Sequence, residues 1–172
     1  WGTPDTHGTS GTAVVRAAPT MGVATGTFAD SIVTPYAPNA VGSYRVYQIP
    51  VESPSHSTPA APADGRTVVA NPDNATASPF GWHDTNGAAG AEFTTTQGNN
   101  THAYTDVDGN NSPDAGSSPD GGAGLVFDFP IDLTQAPSAY RPAAVTNLFY
   151  WNNLMHDIPY IYGFNEAQGN FQ

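Results

Sequence analysis

The chain contains no cysteine. Disulfides, thiolate metal sites and cysteine nucleophiles are therefore excluded together. That absence does not place the chain inside a cell, because secreted proteins can also lack cysteine. Lysine is absent too, and the only fixed cations are Arg16, Arg45, Arg66 and Arg141. Against them stand 15 acidic residues, giving a formal net charge of −11. Such a chain repels phosphates and anionic headgroups, so nucleic acid and membrane are excluded as expected partners, while cations are favoured. No apolar run approaches the ~18 residues that a membrane span needs. No signal peptide is visible, and Trp1 in place of Met is expected of a processed or trimmed start.

Two catalytic signatures are missing as well. The five histidines are His7, His56, His83, His102 and His156, and none is spaced from another as in H-E-x-x-H. No G-x-S-x-G nucleophile turn occurs, and the serines fall in loop-like stretches.

What is abundant is turn chemistry. The chain has 18 glycines and 16 prolines among 172 residues and is only 38% hydrophobic, which predicts one domain with long irregular connections and few helices. Residues 1–42 offer short pieces, "TAVV" and "DSIV", with the composition of edge strands. Further strands are expected at Ser43–Val51, in "RTVVANP", at Ala91–Thr96 and in "LVFDFPIDL". Then the pattern changes. Pro142 suits the first turn of a helix, and from Ala143 to Ile158 there is no Gly or Pro. Ala144, Leu148, Trp151, Met155 and Ile158 recur at spacings of four and three, which predicts a helix burying Leu148, Trp151 and Met155. Pro159 is expected to end it. Phe149, Tyr150 and Leu154 lie off that stripe, so the helix expects cover on several sides and the chain is not expected to be a stable free monomer.

The strongest local motif is "DVDGNNSPD". Asp106, Asp108, Asn110, Ser112 and Asp114 alternate as oxygen donors do in a calcium loop, Gly109 gives the bend, and Asp120 supplies a late carboxylate. The loop departs from an EF-hand, because glycine stands at the fourth position and Ser117 at the twelfth. An Asx-rich turn is the competing reading. His83 beside Asp84, and His102 near Asp106, read as polar loop histidines. His156 and Asp157 are sequence neighbours on a helix, diverge by about 100°, and are not expected to pair. Sequons at Asn74, Asn99 and Asn110 matter only in a host that glycosylates.

"SPFGWHDTNGAAGAEFTTTQGNNTHAYTDVDGNNSPD", "LVFDFPIDL" and "AAVTNLFYWNNLMHDIPYIYGFNEAQGNFQ" together resemble the start of the catalytic domain of the fungalysin family, secreted zinc metallopeptidases of the thermolysin-like type. The resemblance covers residues 43–172 and leaves 1–42 unmatched, a stretch that would fall near the junction of propeptide and mature enzyme. It implies an α+β fold, with an irregular β-rich N-terminal lobe followed by one long amphipathic helix. It also implies extracellular cleavage of protein or peptide substrates by the complete enzyme. The family's zinc helix and its further Glu ligand lie downstream of the equivalent of Gln172, so no catalytic residue carries over. The chain alone is expected to bind no zinc and cleave no protein. Its expected partner is the C-terminal catalytic portion or other copies of itself. The alternative is a non-catalytic, calcium-stabilised extracellular module that binds or self-assembles.

Overall fold

The structure, a computed structural model, describes residues 42–56 and 64–171. The strands expected in "TAVV" and "DSIV" lie outside these residues. Strand β1 (Ser43–Val46) is central, with β2 (Thr67–Ala70) antiparallel on one side and β3 (Val126–Phe127) parallel on the other. A 3-10 turn at Pro137–Ala139 leads into helix α1 (Arg141–Ile161), and a second at Glu166–Gln168 follows it. This is the expected α+β order.

Several strands are shorter than their composition suggests, and each has a local cause. β1 stops at Val46 instead of reaching Val51 because the helix captures the next residue. The Tyr47 amide donates to Asn147 Oδ1 at 2.8 Å, and the Tyr47 carbonyl accepts the Trp151 indole N–H at 2.9 Å. β3 keeps two residues because the Phe129 carbonyl accepts from the buried Arg66 guanidinium at 2.9 Å rather than from a strand. Ala91–Thr96 forms no strand. Its backbone bonds are divided among several partners: Glu92 N donates to His83 O, Thr96 N to Pro119 O, Thr94 O accepts from Gly121 N, and Thr96 O accepts from Ala103 N. The loops nevertheless pack tightly. A Cβ added at Gly98 would lie 1.6 Å from the Trp82 carbonyl oxygen, so only glycine lets these two backbone runs meet.

Helix α1 extends past both expected ends and passes through Pro159. Proline there removes the N–H that would reach back four residues, but this lies in the last turn, where the loss is small. The helix closes through Gly163, at φ 97°, with Phe164 N donating to Pro159 O.

One aromatic core joins sheet to helix: Tyr44, Val46, Trp82, Leu125, Phe127, Val145, Phe149 and Tyr150 are buried together. The helix face expected to be buried is not the one that is. Leu148 and Met155 are 50% and 54% exposed, and Trp151 is half-buried, held at its indole end. The buried phase is Val145, Phe149, Asn153 and His156, with Thr146, Tyr150 and Asp157 alongside. It has the same helical spacing as the expected stripe. Asn153, His156 and Asp157 tolerate burial because they are hydrogen-bonded, while the Thr146 hydroxyl has no partner.

Candidate functional site

The centre of that buried polar face is Asp157, 3% exposed. Its Oδ2 accepts the Trp82 indole N–H and the Asn74 amide, each at 2.8 Å. Its Oδ1 accepts the Ser78 hydroxyl at 2.7 Å and lies 2.9 Å from His156 Nδ1. The expected lack of pairing between His156 and Asp157 is therefore overturned. The backbone directions diverge as expected, but the two short side chains bend toward each other within a buried space. His156 is fully buried, and its Nε2 faces Glu166 Oε1 at 3.3 Å. Burial opposes its charge, but the hydrogen bonds and fields of Asp157 and Glu166 outweigh that and raise its pKa. Asn153, also fully buried, donates to the Phe149 carbonyl and accepts from Asn100. Asn170 Nδ2 donates to the His156 carbonyl and ties the chain's end to the helix. A buried Trp needs an acceptor for its N–H, and that requirement is the signal by which Trp82 could have pointed to Asp157 from the sequence.

His83 is not the exposed loop residue that its neighbours suggest. It is 3% exposed and stacks against Tyr44, Phe127 and Phe149, with ring centres 6.1, 5.2 and 4.9 Å away. Its Nδ1 donates to the Gln97 carbonyl, which can only accept, so Nε2 is left to accept the Tyr44 hydroxyl at 2.8 Å. Burial lowers its pKa to about 4, and the ring is neutral. Asp84 turns away and accepts from the amides of Asn86 and Gly87. His102 pairs with Ser118, not with Asp106.

In the aspartate loop, ligand-capable oxygens of Asp106, Asp108 and Asp114 lie within 4.8 Å of one another. Among the described residues this is the one such group of acids and histidines. Asn110 and Ser112 belong to the same turns: Asn110 N donates to Asp106 and Asp108, and Ser112 N donates to Asn110 Oδ1. Desolvation raises the Asp106 pKa, but hydrogen bonds from the amides of Asn111, Asn110 and Gly109, with the Asp108 side chain, together outweigh it and lower the pKa. Asp120 stands outside the converging group and accepts the Gly122 amide at 2.8 Å.

The outer side of α1 and the segment after it carry exposed apolar residues: Leu148, Met155, Ile161, Tyr162 and Phe164. No helix among the described residues is long and apolar enough to cross a membrane.

The family model for fungalysin metallopeptidases matches residues 43–172. The extracellular metalloproteinase 5 of Trichophyton tonsurans is 35% identical over 130 residues, which are 76% of this chain and 20% of that protein. The extracellular metalloproteinases MEP of Leptosphaeria maculans and Fusarium vanettenii are 35% and 36% identical, each over 77% of this chain. The matched part spans only 20% and 19% of their respective lengths.

Proposed function

The chain belongs to the fungalysin metallopeptidase family, and from that premise we propose that it is the N-terminal part of a zinc metalloendopeptidase that cleaves proteins outside the cell. The observation that carries this reading is the family match, which takes in every described residue from Ser43 onward. The relatives' names, extracellular metalloproteinase, support both the reaction and the location.

Among the described residues the one converging group of acids and histidines holds no histidine, which does not suit a zinc site. His83 has both ring nitrogens engaged, and His156 is bracketed by two carboxylates within a closed core. No step of peptide hydrolysis is therefore assigned to these side chains. Their role is to support: the aromatic core and the Asp157 knot fix α1 against the β lobe. The exposed apolar side of α1 supports a covering partner, either the remaining catalytic portion or further copies of this chain. We assign residues 1–42 to a segment outside the family match.

A calcium role for the aspartate loop belongs to the same reading. Three converging carboxylates on a glycine-bent turn suit a hard cation that takes six to eight oxygens. Asp106, Asp108 and Asp114 are the proposed core ligands, with Asn110 and Ser112 beside them and Asp120 as an outer carboxylate. If calcium binding and self-association were found without any protease in the longer gene product, the non-catalytic module would be the better reading.

The test compares two purified proteins on casein. The longer gene product should cleave it in a chelator-sensitive manner, and the 172-residue chain should not. Chelator-sensitive cleavage by the 172-residue chain would overturn the supporting role. Absence of cleavage by the longer product would overturn the protease reading.

A further inference from the structure

A pocket of about 230 Å³ opens beside β1, lined by Tyr44, Asp73, Phe80, Trp82, His83 and Leu125 with several small residues. Asp73 is 3% exposed, and its Oδ2 has no hydrogen-bond partner. A buried carboxylate oxygen without a donor is costly, and folds rarely keep one unless something else satisfies it. Nothing in the pocket wall does so. His83 is neutral, and both its nitrogens are engaged by Gln97 and Tyr44. Burial and the nearby Asp73 hold the Tyr44 hydroxyl protonated. No arginine lines the pocket. Asp157 lies close enough to add to the negative field, and its own oxygens are already paired.

We propose that this pocket binds a primary alkylammonium group, with Asp73 Oδ2 as acceptor and the Tyr44, Phe80 and Trp82 rings around an apolar stem. The alternatives fit less well. An anion would meet an unneutralised carboxylate. A divalent metal needs several hard ligands, and the pocket offers one carboxylate. A neutral apolar guest would leave Asp73 unsatisfied. An ammonium supplies both donor and charge, and aromatic rings favour cations at their faces.

Two sources share this chemistry: a free amine and the side chain of a peptide lysine. The probe is n-butylammonium, titrated into the 172-residue chain near pH 8 while the Trp82 indole resonance is followed. Acetyl-Gly-Lys-Gly-amide forms the second arm, and n-butanol is the uncharged control. Saturable n-butylammonium binding is expected, roughly tenfold or more tighter than n-butanol, as for a hydrogen bond to a charged group. Asp73→Asn should weaken it by a similar factor. Because desolvation and Asp157 raise the Asp73 pKa to about 6, moving the unaltered chain from about pH 8 to about pH 5 should also weaken binding roughly tenfold. That pH series decides the matter even if the variant does not fold. Peptide binding comparable to the amine assigns the site to a lysine side chain, and amine binding alone assigns it to free amines. No saturation, equal affinity for n-butanol, or affinity untouched by both pH and the folded variant overturns the proposal.

Discussion

The His156 imidazole sits 2.9 Å from the carboxylate of its own neighbour, Asp157, inside a helix whose geometry points the two residues apart. The contact exists because both side chains are shut in together and neither has water to turn to. Asp157 is the stronger partner, because it also gathers Trp82, Asn74 and Ser78 from a segment 75 to 83 residues away. Asp157→Asn replaces a charged acceptor of four contacts and leaves His156 facing an amide. The expected loss is ~3–5 kcal/mol, the range for breaking a buried charged pair. Urea unfolding followed by Trp fluorescence measures it, and a loss below ~1 kcal/mol would show that the knot is not a stabilising centre.

His156 also sets a pH dependence on the alkaline side. Its proton is held more tightly in the folded chain than in the unfolded one. The stability it contributes is fully present below the unfolded value of ~6.5 and is lost as pH rises through the folded value. The urea midpoint should therefore fall as pH rises above about 6.5, and His156→Gln should flatten that limb. A midpoint equally steep in the variant would assign the effect elsewhere.

On the acid side, two groups oppose each other. The Asp73 pKa rises from 3.8 to about 6, because its burial and Asp157 disfavour the charge. Its effect is stabilising at low pH and is lost as pH rises through about 6. The His83 pKa falls from 6.5 to about 4, because burial disfavours the imidazolium. Its effect has the opposite sign, with stability lost as pH falls from 6.5 toward 4. Between pH 6 and pH 4 these two contributions should largely cancel, and Asp73→Asn should uncover a loss of at least ~2 kcal/mol there. Urea midpoints at a series of pH values would show it, and a flat Asp73→Asn profile would refute the His83 contribution.

The two faces of α1 should respond differently to truncation. Phe149 is fully buried in the aromatic core, and Phe149→Ala is expected to cost ~3–5 kcal/mol. Leu148 is half exposed, and Leu148→Ala should change the stability of this chain by no more than ~0.5 kcal/mol. Equal costs would mean that Leu148 is covered in solution by another molecule, which sedimentation of the two variants would reveal.

Calcium titrated by calorimetry should bind one site per chain at millimolar concentration or below. Asp108→Ala should weaken it by tenfold or more, in keeping with the loss of one hard anionic ligand. Calcium-independent heats, or binding unchanged in Asp108→Ala, would leave the loop as an Asx-rich turn.

Much of the architecture was legible in the residues. Helix α1 shows in its Gly- and Pro-free run, and β2 in its paired valines. The helix phase was not legible. Two stripes share the period: Leu148, Trp151 and Met155 on one, Phe149, Asn153 and His156 on the other. Apolarity favours the first, but the second wins because Asn100, Asp157 and the Phe149 carbonyl satisfy its polar groups. Asn100 lies 53 residues away, and the pairing with the adjacent Asp157 arises only because both side chains are buried together. The strand ends fail for a similar reason, since Asn147 and Trp151 take the Tyr47 backbone from a hundred residues away. The aspartate loop was legible because its donors are close in sequence. Asp73 was not, because its distinction is a missing partner.

The Asp157 knot also sets an order of events at the ribosome. Its three remote partners, Asn74, Ser78 and Trp82, emerge during synthesis long before the carboxylate that binds them. The aromatic core has the same lag, because Tyr44 and Trp82 wait for Phe149 and Tyr150. The lobe before Tyr140 therefore leaves the ribosome with its local turns but without the helical side of its core, which closes only through contacts distant in sequence. Contacts of that kind close slowly. A translational pause placed before α1 prolongs the exposure of this lobe, whereas one placed after the helix finds it already closed.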